Sequence, residues 1–219
     1  ISGAGTGLES ITEGANTGWR LVGRDPLNHG DIGQDAVDLS YSNSNSSVYG
    51  ATGNQSHAEG WNTVSSGGIS HAEGYNTSTS AEYAHSEGSA SNASGIASHT
   101  EGRATITLGS YSHAEGNNTK STGLYSHAEG SQTTTSGTAS HAEGRNTTTV
   151  GDYSHAEGLS TRTAGYGSHS EGNGSITFGT GSHAEGYFTT ATGEYSHAEG
   201  KSTTASGLYS HAEGRQTTA

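Results

Sequence analysis

The chain of 219 residues contains no cysteine and no methionine. Without thiols there is no disulfide framework, no cysteine nucleophile and no cysteine metal site. The only proline is Pro26, so nothing beyond it interrupts a backbone hydrogen-bond ladder. Apolar residues make up only 27% of the sequence, and no apolar run is long enough to cross a bilayer. No secretory leader is visible. Basic residues are scarce: Lys and Arg number 8 against 21 Asp and Glu, for a net charge of −13. That balance disfavours nucleic acid and anionic membranes as partners. The chain starts at Ile1 rather than Met, as expected of a fragment or a processed product. So low an apolar content ordinarily indicates disorder, but the order of the residues is far from random.

Twelve histidines recur at an unbroken spacing of fourteen: His57, His71, His85, His99, His113, His127, His141, His155, His169, His183, His197 and His211. Two residues after each stands a glutamate: Glu59, Glu73, Glu87, Glu101, Glu115, Glu129, Glu143, Glu157, Glu171, Glu185, Glu199 and Glu213. A glycine follows every one: Gly60, Gly74, Gly88, Gly102, Gly116, Gly130, Gly144, Gly158, Gly172, Gly186, Gly200 and Gly214. A second glycine column lies four residues before each histidine, broken only by Ala81. Serine precedes each histidine except at Ala84, and the residue after it is always small.

A short fixed period with small residues and paired glycines marks a solenoid. Fourteen residues are too few for a pair of helices and enough for two short strands and two turns. The glycines following the glutamates are expected to supply those turns, because glycine reaches positive φ without a Cβ penalty. Threonine runs such as 133–135 and 147–149 suit the second strand of each coil. Residues 51–219 are therefore predicted to form an all-β, parallel β-solenoid of about twelve coils, on the order of 60 Å long at the usual strand spacing. Residues 1–50 lack the strict repeat and are expected to be an N-terminal capping region, as terminal solenoid units are atypical. In it Asp25-Pro26 suggests a turn, and Trp19, Leu21, Val22, Leu27, Ile32, Val37 and Leu39 could cover an open end. His29 lies two periods before His57, but Gly33 is then one residue out of phase with the Gly60 column, so both alignments cannot hold.

Alternation along a strand places Tyr111, His113 and Glu115 on one face of YSHAEG and Ser112, Ala114 and Gly116 on the other. The threonine columns are expected to face inward, because the column between them holds residues as different as Val64, Asn92, Lys120 and Arg162. A core of Ala, Ser and Thr buries little apolar surface, so a lone roll lacks the usual source of stability. The outward His and Glu columns never vary, unlike a column that only meets water. They are expected to form a ladder at the interface of a homo-oligomer, with each glutamate paired to a histidine.

A catalytic His–Glu dyad is disfavoured by twelve copies with no distinct nucleophile or unique pocket, so the chain is read as no enzyme. No cofactor and no metal site is assigned, although histidines converging on an axis could hold an ion; no dense ligand motif such as HExxH occurs. The regular threonines also suggest an ice-binding face, but Lys120, Arg162, Ser91, Ala93 and Ala205 interrupt it. Tyr83, Tyr111, Tyr125, Tyr153, Tyr195 and Tyr209 share one semi-variable column, read as an interface rim. Trp61, Tyr75, Arg103, Leu159, Tyr187 and Lys201 share another, which could contact a glycan or a surface protein but reads more simply as solvent-facing turns.

The fourteen-residue repeat with its xSxAxG-type strands resembles the YadA-like head repeats of trimeric autotransporter adhesins. The resemblance covers residues 51–219. It implies a left-handed β-roll and a homotrimer packed around one axis. The family usually carries aliphatic residues where this chain has His113 and Glu115, and by resemblance these two and their counterparts would line the trimer centre. Residues 12–42, TEGANTGWRLVGRDPLNHGDIGQDAVDLSYS, resemble segments ahead of such repeats in bacteriophage tail-fibre and prophage structural proteins. The expected role is thus a structural segment of a virion tail fibre involved in host attachment, with a cell-surface glycan or protein as receptor. The alternative is the head or stalk of an adhesin on a bacterial surface.

Overall fold

The computed structural model describes residues 7–219; residues 1–6 of the expected capping region lie outside the described residues. The chain divides into two compact units, residues 1–110 and 111–219.

In the first unit, β1 (Leu8–Glu13) pairs antiparallel with β2 (Asn16–Leu21), and the two-residue turn between them places Gly14 at φ 61. A glycine first in the turn suits the twist of a tight hairpin. β2 then runs parallel to β3 (Val37–Tyr41), with Trp19 opposite Val37 and Arg20 opposite Asp38. β3 and β4 (Gly50–Ala51) are the two arms of a leading coil. They pair in parallel with β5 (His57–Trp61) and β6 (Val64–Ser65), the arms of the first fourteen-residue coil. From there the register advances by a fixed fourteen: His57 opposes His71, Glu59 opposes Glu73 and Val64 opposes Ser78.

The second unit repeats the same two-arm coil. Its long arms run from His113–Asn117 to His211–Ala212, and its short arms from Lys120–Ser121 to Thr204–Ala205. His127 opposes His141, and Thr134 opposes Thr148. The repeats of both units are parallel β-solenoids of fourteen-residue coils, as the period requires.

Burial follows the alternation from histidine onward. Ala58, Ala72, Ala114 and Ala128 are sealed from solvent, whereas the His and Glu on either side are half-exposed. The threonine columns point inward: Thr133, Thr135, Thr147 and Thr149 are all fully buried. The interior is held largely by hydrogen bonds. Backbone amides donate from coil to coil, as in His127 N to Ser140 O at 2.9 Å and Thr134 N to Thr147 O at 3.0 Å. Among side chains, Ser126 Oγ donates to Gly123 O at 2.7 Å, and Thr135 Oγ1 to Ser121 Oγ at 2.9 Å.

The glycines after the glutamates take the positive φ expected of them, but most lie in strands rather than turns. Gly130 belongs to the strand His127–Ser131 at φ 106, and a Cβ there would meet Gly144 O at 2.1 Å. Its column is glycine because neighbouring coils touch backbone to backbone. The left-handed turn positions fall to other residues, including Ile69 (φ 53), Asn76 (φ 53), Tyr125 (φ 58) and Phe188 (φ 53). Such φ costs a bulky residue about 1–2 kcal/mol. Regular bonding offsets this: Ile69 N donates to Asn54 O and Asn76 N to Trp61 O, each at 2.8 Å. Tyr111, at φ 56, therefore lies in a turn ahead of its strand, and the alternation does not extend back to it.

Candidate functional site: the histidine–glutamate face

Because the register advances by one whole coil, equivalent side chains stack. The imidazoles of His127 and His141 lie with centroids 4.7 Å apart and planes 9° from parallel; His155 and His169 are 4.8 Å apart at 2°. The same stacking joins His57, His71, His85 and His99 in the first unit. Each glutamate two residues on shares its histidine's face. Nε2 to Oε2 separations run from 3.4 Å at His113–Glu115 to 3.9 Å at His57–Glu59. Most of these exceed hydrogen-bond length, so the pairs are electrostatic neighbours. His127 and Glu129 retain 38% and 42% of their side-chain exposure.

Stacking also sets the electrostatics. Burial, and then the like charge of the neighbouring rings, holds His57, His85, His127, His141, His169 and His183 below the usual histidine pKa, despite the opposing glutamates. In the carboxylate column Glu171 is pushed up to about 7, chiefly by sharing a hydrogen bond with Glu185. Glu185 is correspondingly lowered, chiefly through the same hydrogen bond.

Grooves run beside the glutamates. One of about 670 Å³ is lined by Leu39 and by Glu59, Glu73, Glu87 and Glu101, each glutamate with its following glycine. In the second unit, one of about 490 Å³ is lined by Glu157, Glu171 and Glu185 with Gly172, Gly186 and Gly200. The glycine floor cannot grow side chains, for the reason given at Gly130, so the chain cannot fill these grooves itself.

A second charged cluster escaped the sequence reading. Arg20 and Asp38, 3% and 0% exposed, occupy the inward position that alanine fills in later coils. Arg20 Nε donates to Asp38 Oδ2 at 3.1 Å, its Nη1 to Glu13 Oε1 at 2.9 Å and its Nη2 to Gly30 O at 2.9 Å. His29 Nδ1 lies 3.1 Å from Asp38 Oδ2. Burial pushes the Asp38 carboxyl up, but the His29 contact and the bonds from Ser40 outweigh it and hold the pKa below the usual aspartate value. His29 is therefore no member of the ladder. Gly33 takes the place of Gly53, its position blocked by Gly53 O just as Gly53 is blocked by Gly67 O. Val37 and Leu39 stand where His57 and Glu59 stand one coil later. The signal was present in the match of VDLSY to HAEGW, but twenty residues rather than fourteen separate them.

The turn columns carry exposed aromatic rings. Tyr111 stacks on Tyr125 at 5.2 Å and Tyr195 on Tyr209 at 5.4 Å. Comparison of the sequence with protein-family models and with curated proteins gives no match.

Proposed function

We propose that the chain is a structural, non-catalytic segment of a homotrimeric fibre, belonging to a phage or prophage tail fibre and serving host attachment. One observation carries this reading. An outward face of unvarying His and Glu, half-exposed in the single chain, borders grooves that the chain has no side chains to fill. Three copies facing one axis would set the glutamate column of one beside the histidine column of the next, at the same coil height. Imidazole donors facing carboxylate acceptors at matched spacing favour that packing. The resemblance of residues 51–219 to YadA-like head repeats supports the trimer, and that of residues 12–42 supports the tail fibre. Sedimentation equilibrium of the tag-free chain tests it: three times the chain mass is expected, and a monomer at micromolar concentration would overturn it.

The exposed aromatic residues, Tyr83 in a turn and Tyr75 and Tyr187 at strand ends rather than in the turns expected of them, favour a second reading. In that case the same trimer is an adhesin head on a bacterial surface, with these rings meeting a glycan or protein receptor. Substituting them should abolish attachment without changing the trimer mass.

A further inference from the structure

The stacked histidines offer more than an interface. Nε2 of His127, His141, His155, His183 and His197 is shielded from solvent and makes no hydrogen bond. A buried polar atom with no partner requires an explanation. Here each such nitrogen lies beside an identical one on the next coil, with a carboxylate oxygen of its own coil 3.6–3.8 Å away. In the sets His127–Glu129–His141, His141–Glu143–His155, His155–Glu157–His169, His183–Glu185–His197 and His197–Glu199–His211, the three donor atoms lie within 4.8 Å of one another.

We propose that the ladder binds borderline divalent transition-metal ions such as Zn²⁺, each held between the imidazoles of two consecutive coils and a glutamate of one of them. The donor chemistry selects the metal. Two imidazole nitrogens and one carboxylate suit Zn²⁺, Cu²⁺ or Ni²⁺, whereas Ca²⁺ and Mg²⁺ take oxygen ligands. Neutral imidazole is the form that ligates. The ion in turn offsets a column of carboxylates spaced one coil apart. Exposed acids alone would be no site; the shielded, unpartnered nitrogens distinguish this one.

Geometry sets the stoichiometry. A tetrahedral ion with Zn–N bonds of about 2.1 Å holds its nitrogens about 3.4 Å apart. Rings stacked at 4.7–4.9 Å must therefore each swing inward by about 0.7 Å on that bond length and tilt out of the stack so that their in-plane lone pairs converge on the ion. A ring that turns toward one neighbour turns away from the other. Consecutive intervals cannot both be filled, and saturation should come at about one ion per two ladder histidines. The site uses one chain's own side chains, so it does not rest on the trimer.

Titration of the tag-free full chain with Co²⁺ tests the proposal. The expected result is a saturable d–d absorption of tetrahedral strength, complete at about one Co²⁺ per two ladder histidines and displaced by Zn²⁺ but not by Mg²⁺. The double variant His127→Gln, His141→Gln should lose at least one Co²⁺ per chain, and Glu129→Gln should weaken binding locally by about tenfold or more. Equal uptake of Mg²⁺, or unchanged Co²⁺ stoichiometry in the double variant, would assign the binding to the carboxylate grooves and overturn the proposal. A second measurement needs no variant. Zn²⁺ should displace the ladder Nε2 resonances in ¹⁵N NMR of the unaltered chain, and unmoved resonances would overturn it equally.

Discussion

The leading coil and the coils that follow share one backbone path and opposite chemistry. In the leading coil the inward position is ionic, Asp38 against Arg20, and the outward positions are aliphatic, Val37 and Leu39. One coil later the inward residue is Ala58 and the outward ones are His57 and Glu59. The path is thus indifferent to which side carries charge. What it demands at this position of the long arm is that the inward group be either very small or fully bonded. Asp38 satisfies the second condition through Arg20, Ser40 and the neighbouring His29, and Ala58 the first.

The largest effect should come from unbalancing the ionic interior. Asp38→Ala leaves Arg20 short of a buried partner and should cost about 3–5 kcal/mol. It would show as lost hydrogen-exchange protection across Val37–Tyr41 and a lower melting temperature. The double variant Arg20→Met, Asp38→Ala should recover much of that loss; no recovery would mean the cluster is more than a filling for the coil. Next is backbone contact in the repeats. Gly130→Ala combines an unfavourable φ with overlap on Gly144 and should cost about 2–4 kcal/mol. Gly14→Ala, with open space around it, should cost about 1 kcal/mol by strain alone. Urea midpoints of the two variants would separate these.

A smaller contrast lies between the two buried threonine columns. Thr133 Oγ1 is buried without a hydrogen-bond partner, whereas Thr135 Oγ1 donates to Ser121 Oγ. Thr133→Val should stabilise by about 1 kcal/mol and Thr135→Val should destabilise by a similar amount. Thermal melts with the same sign for both would contradict the assignment.

The smallest effect per residue is on pH. A histidine held below its ordinary pKa contributes fully above that ordinary value, near 6.5, because both folded and unfolded forms are then neutral. As pH falls toward the folded pKa, the unfolded chain binds protons more readily and stability declines. The coils around His141 should therefore weaken just below pH 6.5, a step set by burial of that ring and then by His155, against Glu143, Glu129 and Glu157. Removing the opposing charge with Glu143→Gln should deepen it. The leading coil has no ladder histidine, and its lowered Asp38 contributes stability above the ordinary value of 3.8 that is lost as pH falls through the folded pKa. Hydrogen exchange followed against pH should show the repeats yielding first.

Much of the repeat was legible in the sequence. The period gave the coil, alternation gave the burial of Ala114 and Thr147, and the constancy of His and Glu drew attention to the outward face. The turn assignment held in part: Gly130 has the positive φ expected of it but lies in a strand where backbones touch. The left-handed turn positions fall to residues such as Tyr125, Asn76 and Ile69, held by coil-to-coil amide bonds. The leading coil was hidden because its spacing to the next is twenty residues, which no fourteen-residue pattern detects.

What the sequence alone determined is periodic: coil length, parallel register and which columns face inward, since each follows from residue order and the two-residue alternation of a strand. Only the tertiary structure decided what depends on distance across coils. That includes the face-to-face stacking of the imidazoles, the shielded Nε2 atoms with no partner and the meeting of Arg20 with Asp38. These contacts join residues fourteen or more positions apart, and their separation is set by the spacing of backbones in the sheet rather than by the order of residues along the chain.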